Sequence, residues 1–157
     1  MTRIGITGHQ GIPARALPDV RRGIRAALAD LPAPLEGYSS LADGADQLFA
    51  SIVLELGGRL HAVVPSGKYE STFDGPALEK YRRLLNAATD IEQLSFDEPS
   101  EAAYDAAGRT VVDHSDVLLA VWDGKPSRGR GGTADAVNYA RAVQVPVHVV
   151  WPAGVTR

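Results

Sequence analysis

Apolar and polar residues alternate in blocks along this chain, and the spacing within the blocks predicts six strands separated by five helices. The predicted strands are short apolar runs. The run Val117 to Val121 has no polar interruption, which is typical of a central strand in a parallel sheet that is covered on both faces. The predicted strands are Arg3–Thr7, Leu35–Ser40, Leu60–Val64, Ile91–Phe96, Val117–Val121 and Val147–Trp151.

Between these strands, apolar residues recur every three or four positions, as they do on the inner face of a helix. Residues that favour helix starts precede or open four of these segments, namely Pro18, Asp43, Pro76 and Ser100. The fifth helix begins after a pair of glycines. The residues expected on the inner faces are Val20, Ile24 and Leu28, then Leu48, Ile52 and Leu56, then Leu78, Tyr81 and Leu85, then Ala103, Ala107 and Val111.

Strands and helices that alternate with short connections predict an α/β fold in one domain over residues 1–157. Right-handed crossovers then give a doubly wound parallel β-sheet with helices on both faces. In such sheets ligands bind beyond the carboxyl ends of the strands. That rule selects four loops as candidate ligand contacts, at Gly8–Ala14, Ser39–Asp46, Pro65–Gly75 and Asp123–Thr133.

The composition limits the class of partner. With 45% hydrophobic residues the chain can bury a core, and its formal net charge of -3 leads us to expect no nucleic acid as a partner. The chain has no cysteine, so thiols indicate nothing about its redox compartment. There is no signal-peptide pattern and no apolar run long enough to span a bilayer, so we expect a cytoplasmic protein without a membrane partner. We find no motif for a metal and none for a cofactor, because the glycines after the first strand match the dinucleotide fingerprint poorly.

The most specific chemical signal lies where the fifth strand leads into the fifth helix. Two glycines and a threonine open this helix, so its first amides stand uncovered at the positive end of the helix dipole. Such a helix start is an anion site, usually for phosphate. Asp135 in the first turn of this helix would repel a dianion by about 4 kcal/mol at 4 Å. Its carboxylate must therefore face away, or its charge must be offset by Arg128 and Arg130 in the preceding loop. The residues expected to hold phosphate are Gly124, Arg128, Arg130, Gly131, Gly132 and Thr133.

Two further loops carry candidate ligand contacts. Gly8 follows the first strand and lets the backbone approach a ligand, which leaves His9 at the mouth of the cleft. The alternative is a plain turn with a solvent-facing histidine. Ser40, Gly44 and Asp46 cluster at the start of the second helix. Asp46 is either a structural acid that complements the helix dipole or a carboxylate that accepts hydrogen bonds from a ribose diol.

Asp46 and two other acids are candidate catalytic residues. Glu70 lies beside Tyr69 in the polar loop after the third strand, where Tyr69 could stack on a base; such loops are otherwise plain surface. Asp123 ends the buried fifth strand just before a glycine. Its carboxylate either binds amides of the neighbouring loops or faces the ligand, and both alternatives stay open at this stage.

Four segments of the chain together resemble the SLOG superfamily of Rossmann-like domains. They are GITGH, SLADGADQLFA, DVLLAVWDG and GGTADAVNYA, and they extend over nearly the whole chain. That superfamily includes the cytokinin-activating nucleotide phosphoribohydrolases, long mislabelled as lysine decarboxylases. The resemblance implies a Rossmann-like fold, a nucleotide or nucleotide-derived ligand with its phosphate on the GGT turn, and a homodimer or higher homo-oligomer.

The chain departs from that family at the catalytic position. The phosphoribohydrolases carry PGGxGTxxE, in which the glutamate supports cleavage of the N-glycosidic bond, and nucleoside deoxyribosyltransferases have a similar Gly-Thr-x-x-Glu. Here Ala136 stands three residues after Thr133. Asp135 is one residue away, which rotates it by about 100° around the helix.

Three hypotheses follow. The chain is a nucleotide-binding module, acting as a sensor or as an enzyme of unidentified reaction. Alternatively, it is a nucleoside 5'-monophosphate N-glycosidase that releases free base and ribose 5-phosphate, with Asp46, Glu70 or Asp123 stabilising an oxocarbenium-like state. The third hypothesis is a non-catalytic scaffold in which the glycines only tighten the packing.

Overall fold

The computed structural model describes residues 1–126 and 132–156, and within them strands and helices alternate as predicted. No helix in these ranges is long and apolar enough to cross a membrane. Short 3-10 turns at Ala14–Ala16 and Tyr69–Thr72 precede α1 and α3. The strands are β1 (Thr2–Gly8), β2 (Leu35–Ser39), β3 (Arg59–Ser66), β4 (Asp90–Phe96), β5 (Val117–Val121) and β6 (Val147–Val150), and the helices are α1 (Leu17–Ala29), α2 (Ala45–Glu55), α3 (Gly75–Ala87), α4 (Glu101–His114) and α5 (Thr133–Ala142).

All six strands are parallel and lie in the order β4-β3-β2-β1-β5-β6. The central strand β1 pairs with β2 on one side and with β5 on the other, so that Ile4 lies between Gly37 and Val117. The chain builds the sheet outwards from β1 to β4 and then returns to the other side of β1. This reversal creates a crevice between the carboxyl ends of β1 and β5, the position at which parallel α/β sheets usually bind ligands.

Helices cover both faces of the sheet, which confirms the predicted Rossmann-like α/β fold. On one face, Ile4 and Ile6 of β1 pack against Val20 and Ile24 of α1 and Phe49 of α2. The opposite face carries a second layer, whose residues from β3, β5, α4 and α5 include Val63, Leu118, Val111 and Ala140. Continuous apolar runs in the strands are therefore explained by burial on both sides.

The inner face of α2 differs from the predicted one. Phe49 and Val53 are fully buried together with Ile52, whereas Leu48 is half-buried and Leu56 is 46% exposed. The helix contacts the sheet on one side and α3 on another, so apolar residues occur around most of its circumference. Helical periodicity identifies a face only where the opposite face is polar, and α2 lacks such a contrast.

Two other elements also differ locally from the prediction. In α3 the buried residues are Tyr81 and Leu84, one position away from the expected Leu85. Pro65 does not end β3, which continues to Ser66, but the pairing with β4 shifts its register between Val64 and Ser66. Proline has no N–H to donate to the ladder, so an irregularity at this position is expected.

Candidate functional site

A cavity of about 310 Å³ opens at the carboxyl ends of β1, β2 and β3. Among the described residues, its wall is formed by three of the predicted loops together with α4. Its size lies at the lower end of the range of about 300–1,000 Å³ that is typical of small-molecule sites. Its wall includes Gly8 and Gln10 after β1, Ser40, Asp43 and Asp46 before and in α2, Pro65, Tyr69, Phe73 and Asp74 between β3 and α3, and Tyr104 and Gly108 of α4.

Asp46 is the buried carboxyl group of this cavity. It lies in the first turn of α2 and is only 9% exposed. Burial raises the pKa of Asp46 from 3.8 to about 7, although a hydrogen bond from the backbone of Ala42 opposes the shift. A carboxyl group of this kind exchanges a proton near neutral pH, which is a property of many acid–base residues and ligand contacts.

The loop between β2 and α2 is held in an unusual backbone conformation. The Ser39 hydroxyl accepts a hydrogen bond from the Leu41 amide at 3.0 Å and donates one to the Asp46 carbonyl at 3.3 Å. Gly44 has φ +92°, and a Cβ there would lie 2.5 Å from the Gln10 carbonyl oxygen. Gly44 therefore packs against the β1 loop and supports the cavity from behind, while its neighbours Asp43 and Asp46 line the cavity itself.

Gly8 has a packing role as well as a place in the cavity wall. A Cβ on Gly8 would lie 2.4 Å from the Ala45 Cβ and 3.0 Å from the Val121 Cβ. The absence of a side chain thus lets the start of α2 approach the end of β1. This close approach brings the first turn of α2, with Asp46, to the edge of the sheet.

His9 and Asp123 are brought together at the crevice between β1 and β5. The His9 Nε2 lies 3.2 Å from the Asp123 Oδ1 and also accepts a hydrogen bond from the Asp123 amide at 3.1 Å. Their side chains are only 6% and 3% exposed. Asp123 also accepts a hydrogen bond from the Lys125 amide at 3.0 Å. The pair thus joins the β1 and β5 loops, beside the cavity wall that the described residues form.

Glu70 lies outside this cavity. It forms an exposed ion pair with Arg82, whose Nε is 3.0 Å from the Glu70 Oε1, and this hydrogen bond lowers the pKa of Glu70. The neighbouring Tyr69 points the other way, is 4% exposed and lines the cavity. Burial, together with the nearby Asp46 carboxyl, raises the pKa of Tyr69, so its hydroxyl remains a neutral hydrogen-bond donor.

The start of α5 lies next to the cavity. Gly132 is the N-cap residue, and no side chain caps this end within the part of the chain that the structure describes. Thr133 is 8% exposed, and Gly124 lies in an exposed turn before the loop. Gly108, in the cavity wall, has its Cβ position 3.9 Å from the Cβ of Ala136. Arg128, Arg130 and Gly131 fall outside the described residues.

Sequence reasoning missed the contribution of α4. Tyr104, Ala107 and Gly108 line the cavity although α4 follows β4, which lies at the far edge of the sheet. The crossover carries this helix back over β3 and β1, which the order of elements along the chain does not reveal. The cluster of small residues at Ala106–Gly108 was the available signal, since small side chains permit close approach.

A second polar cluster lies outside the cavity, across β2, β3 and β4. The His61 Nε2 is 2.9 Å from the Glu36 Oε1, and its Nδ1 is 2.7 Å from the Asp90 Oδ1. Tyr38 stacks between His61 and His114, with ring centroids 4.6 and 5.0 Å away. Glu36 and His61 are each 9% exposed, so the cluster includes a buried polar pair on the sheet face.

Comparison with known proteins gives structural but no sequence relatives. No family model matches the chain, and no curated protein matches it. DNA processing protein A (DprA) of Streptococcus pneumoniae superposes with a TM-score of 0.71 at 16% identity, over 98% of this chain and 52% of its own. DprA of Helicobacter pylori gives 0.68 at 18%, over 94% and 64%. This chain thus spans between half and two thirds of the DprA chains.

TM1055, a structural-genomics target, superposes with a TM-score of 0.60 at 16% identity, over 94% of this chain and 72% of its own. Likeness at these identities shows the fold alone. That fold is a Rossmann-like parallel α/β sheet, the architecture that the sequence resemblance implied.

The expectation of no nucleic-acid partner is wrong as an inference from charge. DprA of Helicobacter pylori binds single-stranded DNA on the same fold. Net charge sums the whole surface, whereas a single strand needs only a local basic groove and exposed faces for stacking. A formal charge of -3 therefore does not exclude nucleic acid for a chain with this fold.

Proposed function

We propose that this domain binds a nucleotide or nucleotide-derived ligand, with the base and sugar in the cavity and the phosphate at the start of α5. The observation that carries the proposal is the cavity of about 310 Å³ at the carboxyl edge, which combines aromatic walls with a buried carboxyl group. Tyr69, Phe73 and Tyr104 offer apolar ring surface to a base. Ser40 and Asp46 offer hydrogen-bonding groups to a sugar diol.

The phosphate is assigned to α5 by electrostatics. The first amides of a helix have no intrahelical acceptor and carry the positive end of the dipole. Gly132 and Thr133 provide that end without a capping side chain in the described residues. α5 packs against α4, and a Cβ built on Gly108 of the cavity wall would lie 3.9 Å from the Ala136 Cβ, which supports a position of the first turn of α5 near this wall. In this proposal the ligand extends from the cavity towards this helix start.

Catalysis is the second candidate, and Asp46 favours it. In an N-glycosidase a carboxylic acid near its pKa can protonate the leaving base or stabilise the oxocarbenium-like state. The raised pKa of about 7 and the cavity position suit Asp46 to this role. Ala136 supplies no carboxylate at the position of the family glutamate. Binding is therefore the primary proposal, and hydrolysis is tested separately.

Binding is tested by thermal shift and calorimetry with AMP, GMP, CMP and UMP. A ligand at 100 times its dissociation constant should stabilise the fold by about 2.7 kcal/mol. Gly132→Asp should abolish this effect by placing a negative charge at the phosphate position. Gly57→Asp is the matched control, because Gly57 lies in an open turn at the other end of α2. If neither these four monophosphates nor any other mononucleotide binds, or if both variants bind equally well, the proposed site is wrong.

Two further assays separate the remaining alternatives. Fluorescence anisotropy with a labelled oligo(dT) tests single-stranded DNA, which DprA of Helicobacter pylori binds. Tight oligonucleotide binding without mononucleotide binding would replace the proposal. Release of free base from the same four monophosphates, followed by chromatography, tests hydrolysis. Base release that Asp46→Asn abolishes would establish the enzyme, whereas binding without release leaves a sensor or carrier module.

A further inference from the structure

Among the residues that the structure describes, the charged side chains of the cavity wall are all acidic. Asp43, Asp46 and Asp74 line the cavity, and among its described lining residues there is no lysine, arginine or histidine. Two nearby cations, Lys68 after β3 and Arg82 in α3, form ion pairs with acids outside the wall. Lys68 lies 2.6 Å from Glu98, and Arg82 lies 3.0 Å from Glu70. The described wall therefore favours positive charge and opposes a phosphate inside it.

Aromatic rings supply the rest of the wall. Tyr69 lies in the middle, with its ring centroid 5.0 Å from Phe73 and 6.2 Å from Tyr104. The faces of such rings carry negative potential and attract cations, most strongly where water is excluded. Tyr69 is 4% exposed, so part of this surface is dry. Aromatic faces together with carboxyl groups are the combination that proteins use for organic cations.

A metal ion is a poorer match to this arrangement. Calcium and magnesium need several oxygen ligands that converge at about 2.0–2.6 Å. Among the residues that the structure describes, no three histidine, cysteine, aspartate or glutamate side chains gather closely enough to hold a metal. The three carboxyl groups are spread around a cavity, which suits a cation whose charge is delocalised over a ring.

We propose that the cavity selects a nucleotide whose base is a positively charged aromatic heterocycle, through the carboxyl groups of Asp43, Asp46 and Asp74 and the rings of Tyr69, Phe73 and Tyr104. This inference rests on the proposed nucleotide site and names its ligand class. The phosphate lies outside the cavity at α5, so the two charged ends of the ligand meet opposite charges. A neutral base of the same shape gains only the stacking.

The site predicts a particular pH dependence. Asp46 shares its pocket with Asp43 of its own loop, Asp74 at the start of α3, Tyr69 of the 3-10 turn and Tyr104 of α4. Its pKa of about 7 in the free protein means that half of the molecules carry a proton there at neutral pH. A cation binds the ionised form better, so its affinity rises between pH 6 and 8, whereas a neutral analogue lacks this rise.

Oxidised and reduced nicotinamide mononucleotide form a matched pair, because the first has a cationic pyridinium ring and the second an uncharged dihydropyridine. Calorimetry at pH 8 should show about tenfold tighter binding of the oxidised form, a factor that equals about 1.4 kcal/mol. Asp46→Asn and Phe73→Leu should each reduce this ratio towards one. Glu79→Gln removes an exposed carboxylate of α3 that does not line the cavity and should leave the ratio unchanged. A melting curve for each variant confirms that it is folded.

The outcomes separate the two proposals. If the two forms bind equally, or if Asp46→Asn and Phe73→Leu keep the full ratio, selection for positive charge is wrong while the nucleotide site stands. If AMP or its relatives bind and neither nicotinamide form does, the ligand class is wrong in the same way. If no nucleotide of any kind binds, the proposed function fails and this inference fails with it.

Discussion

Gly44→Ala tests whether the cavity depends on the close approach of the α2 loop to the β1 loop. At φ +92° and ψ -126° the backbone of Gly44 is in a region that is essentially reserved for glycine. An added Cβ would lie 2.5 Å from the Gln10 carbonyl oxygen, 2.6 Å from the His9 carbonyl oxygen and 2.8 Å from the Gln10 Cα. All three are backbone atoms, so relief requires one of the two loops to move.

The cost follows from two contributions. Strained backbone of this kind costs about 1–3 kcal/mol for a residue with a side chain. Separating the loops also weakens the hydrogen bond from the Ala45 amide to the His9 carbonyl, now 3.2 Å long, which is worth about 1 kcal/mol. We therefore expect the free energy of unfolding to fall by about 2–4 kcal/mol.

Gly57→Ala is the control, since Gly57 has φ +78° and no atom within 4 Å of its Cβ position. It should lose only the left-handed backbone cost of about 1–2 kcal/mol. Urea unfolding measures both values, and at about 2–4 °C per kcal/mol the melting temperature of Gly44→Ala should lie roughly 3–6 °C below that of the control. Equal stability of the two variants would refute the argument from close approach.

Three further predictions rest on other contacts. The pKa of Asp46 is higher in the folded chain than its ordinary 3.8, so the folded state binds more protons, and stability falls as pH rises from about 4 to 7. Asp46→Asn should remove this fall. In urea denaturation at pH 8 its free energy of unfolding should exceed that of the wild type by up to about 4 kcal/mol, with no such gain at pH 4; a pH-independent difference would contradict this prediction. His61→Ala leaves the buried Glu36 carboxylate without its His61 partner and should cost about 3 kcal/mol. His114→Ala breaks a half-exposed pair with Glu92 and should cost about 1 kcal/mol or less, so similar losses in the two chemical denaturation curves would count against the buried pair. Gly8→Ala places a Cβ 2.4 Å from that of Ala45 and should lower the melting temperature by several degrees relative to Gly11→Ala, whose Cβ meets no atom within 4 Å; an unchanged melting temperature would mean that α2 shifts freely.

The fold was accessible from the sequence because its strands and most of its helices have clear patterns. Val117–Val121 coincides with β5, and Val20, Ile24 and Leu28 are the buried residues of α1. The predicted inner face was wrong for α2, where contacts on several sides place apolar residues around most of the helix circumference. The spacing of apolar residues indicates whether a segment is a helix or a strand. Which of several apolar faces is buried depends on tertiary packing.

The candidate site was predictable in part, for a related reason. The rule that ligands bind at the carboxyl ends of strands selected the loops that hold Gly8, Ser40 and Asp46, all of which line the cavity. It did not distinguish Tyr69, which faces inwards, from Glu70, which faces Arg82. Neighbours in a turn point in different directions, and only coordinates resolve which one faces the ligand. Nor did it reveal the wall contributed by α4, which depends on the crossover.

The reversal of strand order at β1 divides the sheet into two halves, β1–β4 and β5–β6, which meet where β1 pairs with β5. The cavity lies at the ends of β1–β3, in the first half, whereas the start of α5 follows β5, in the second half. The His9–Asp123 pair already connects the two halves, because His9 follows β1 and Asp123 follows β5. A ligand that contacted both halves would connect them further, so amide protons of β5 should exchange more slowly when the ligand is bound.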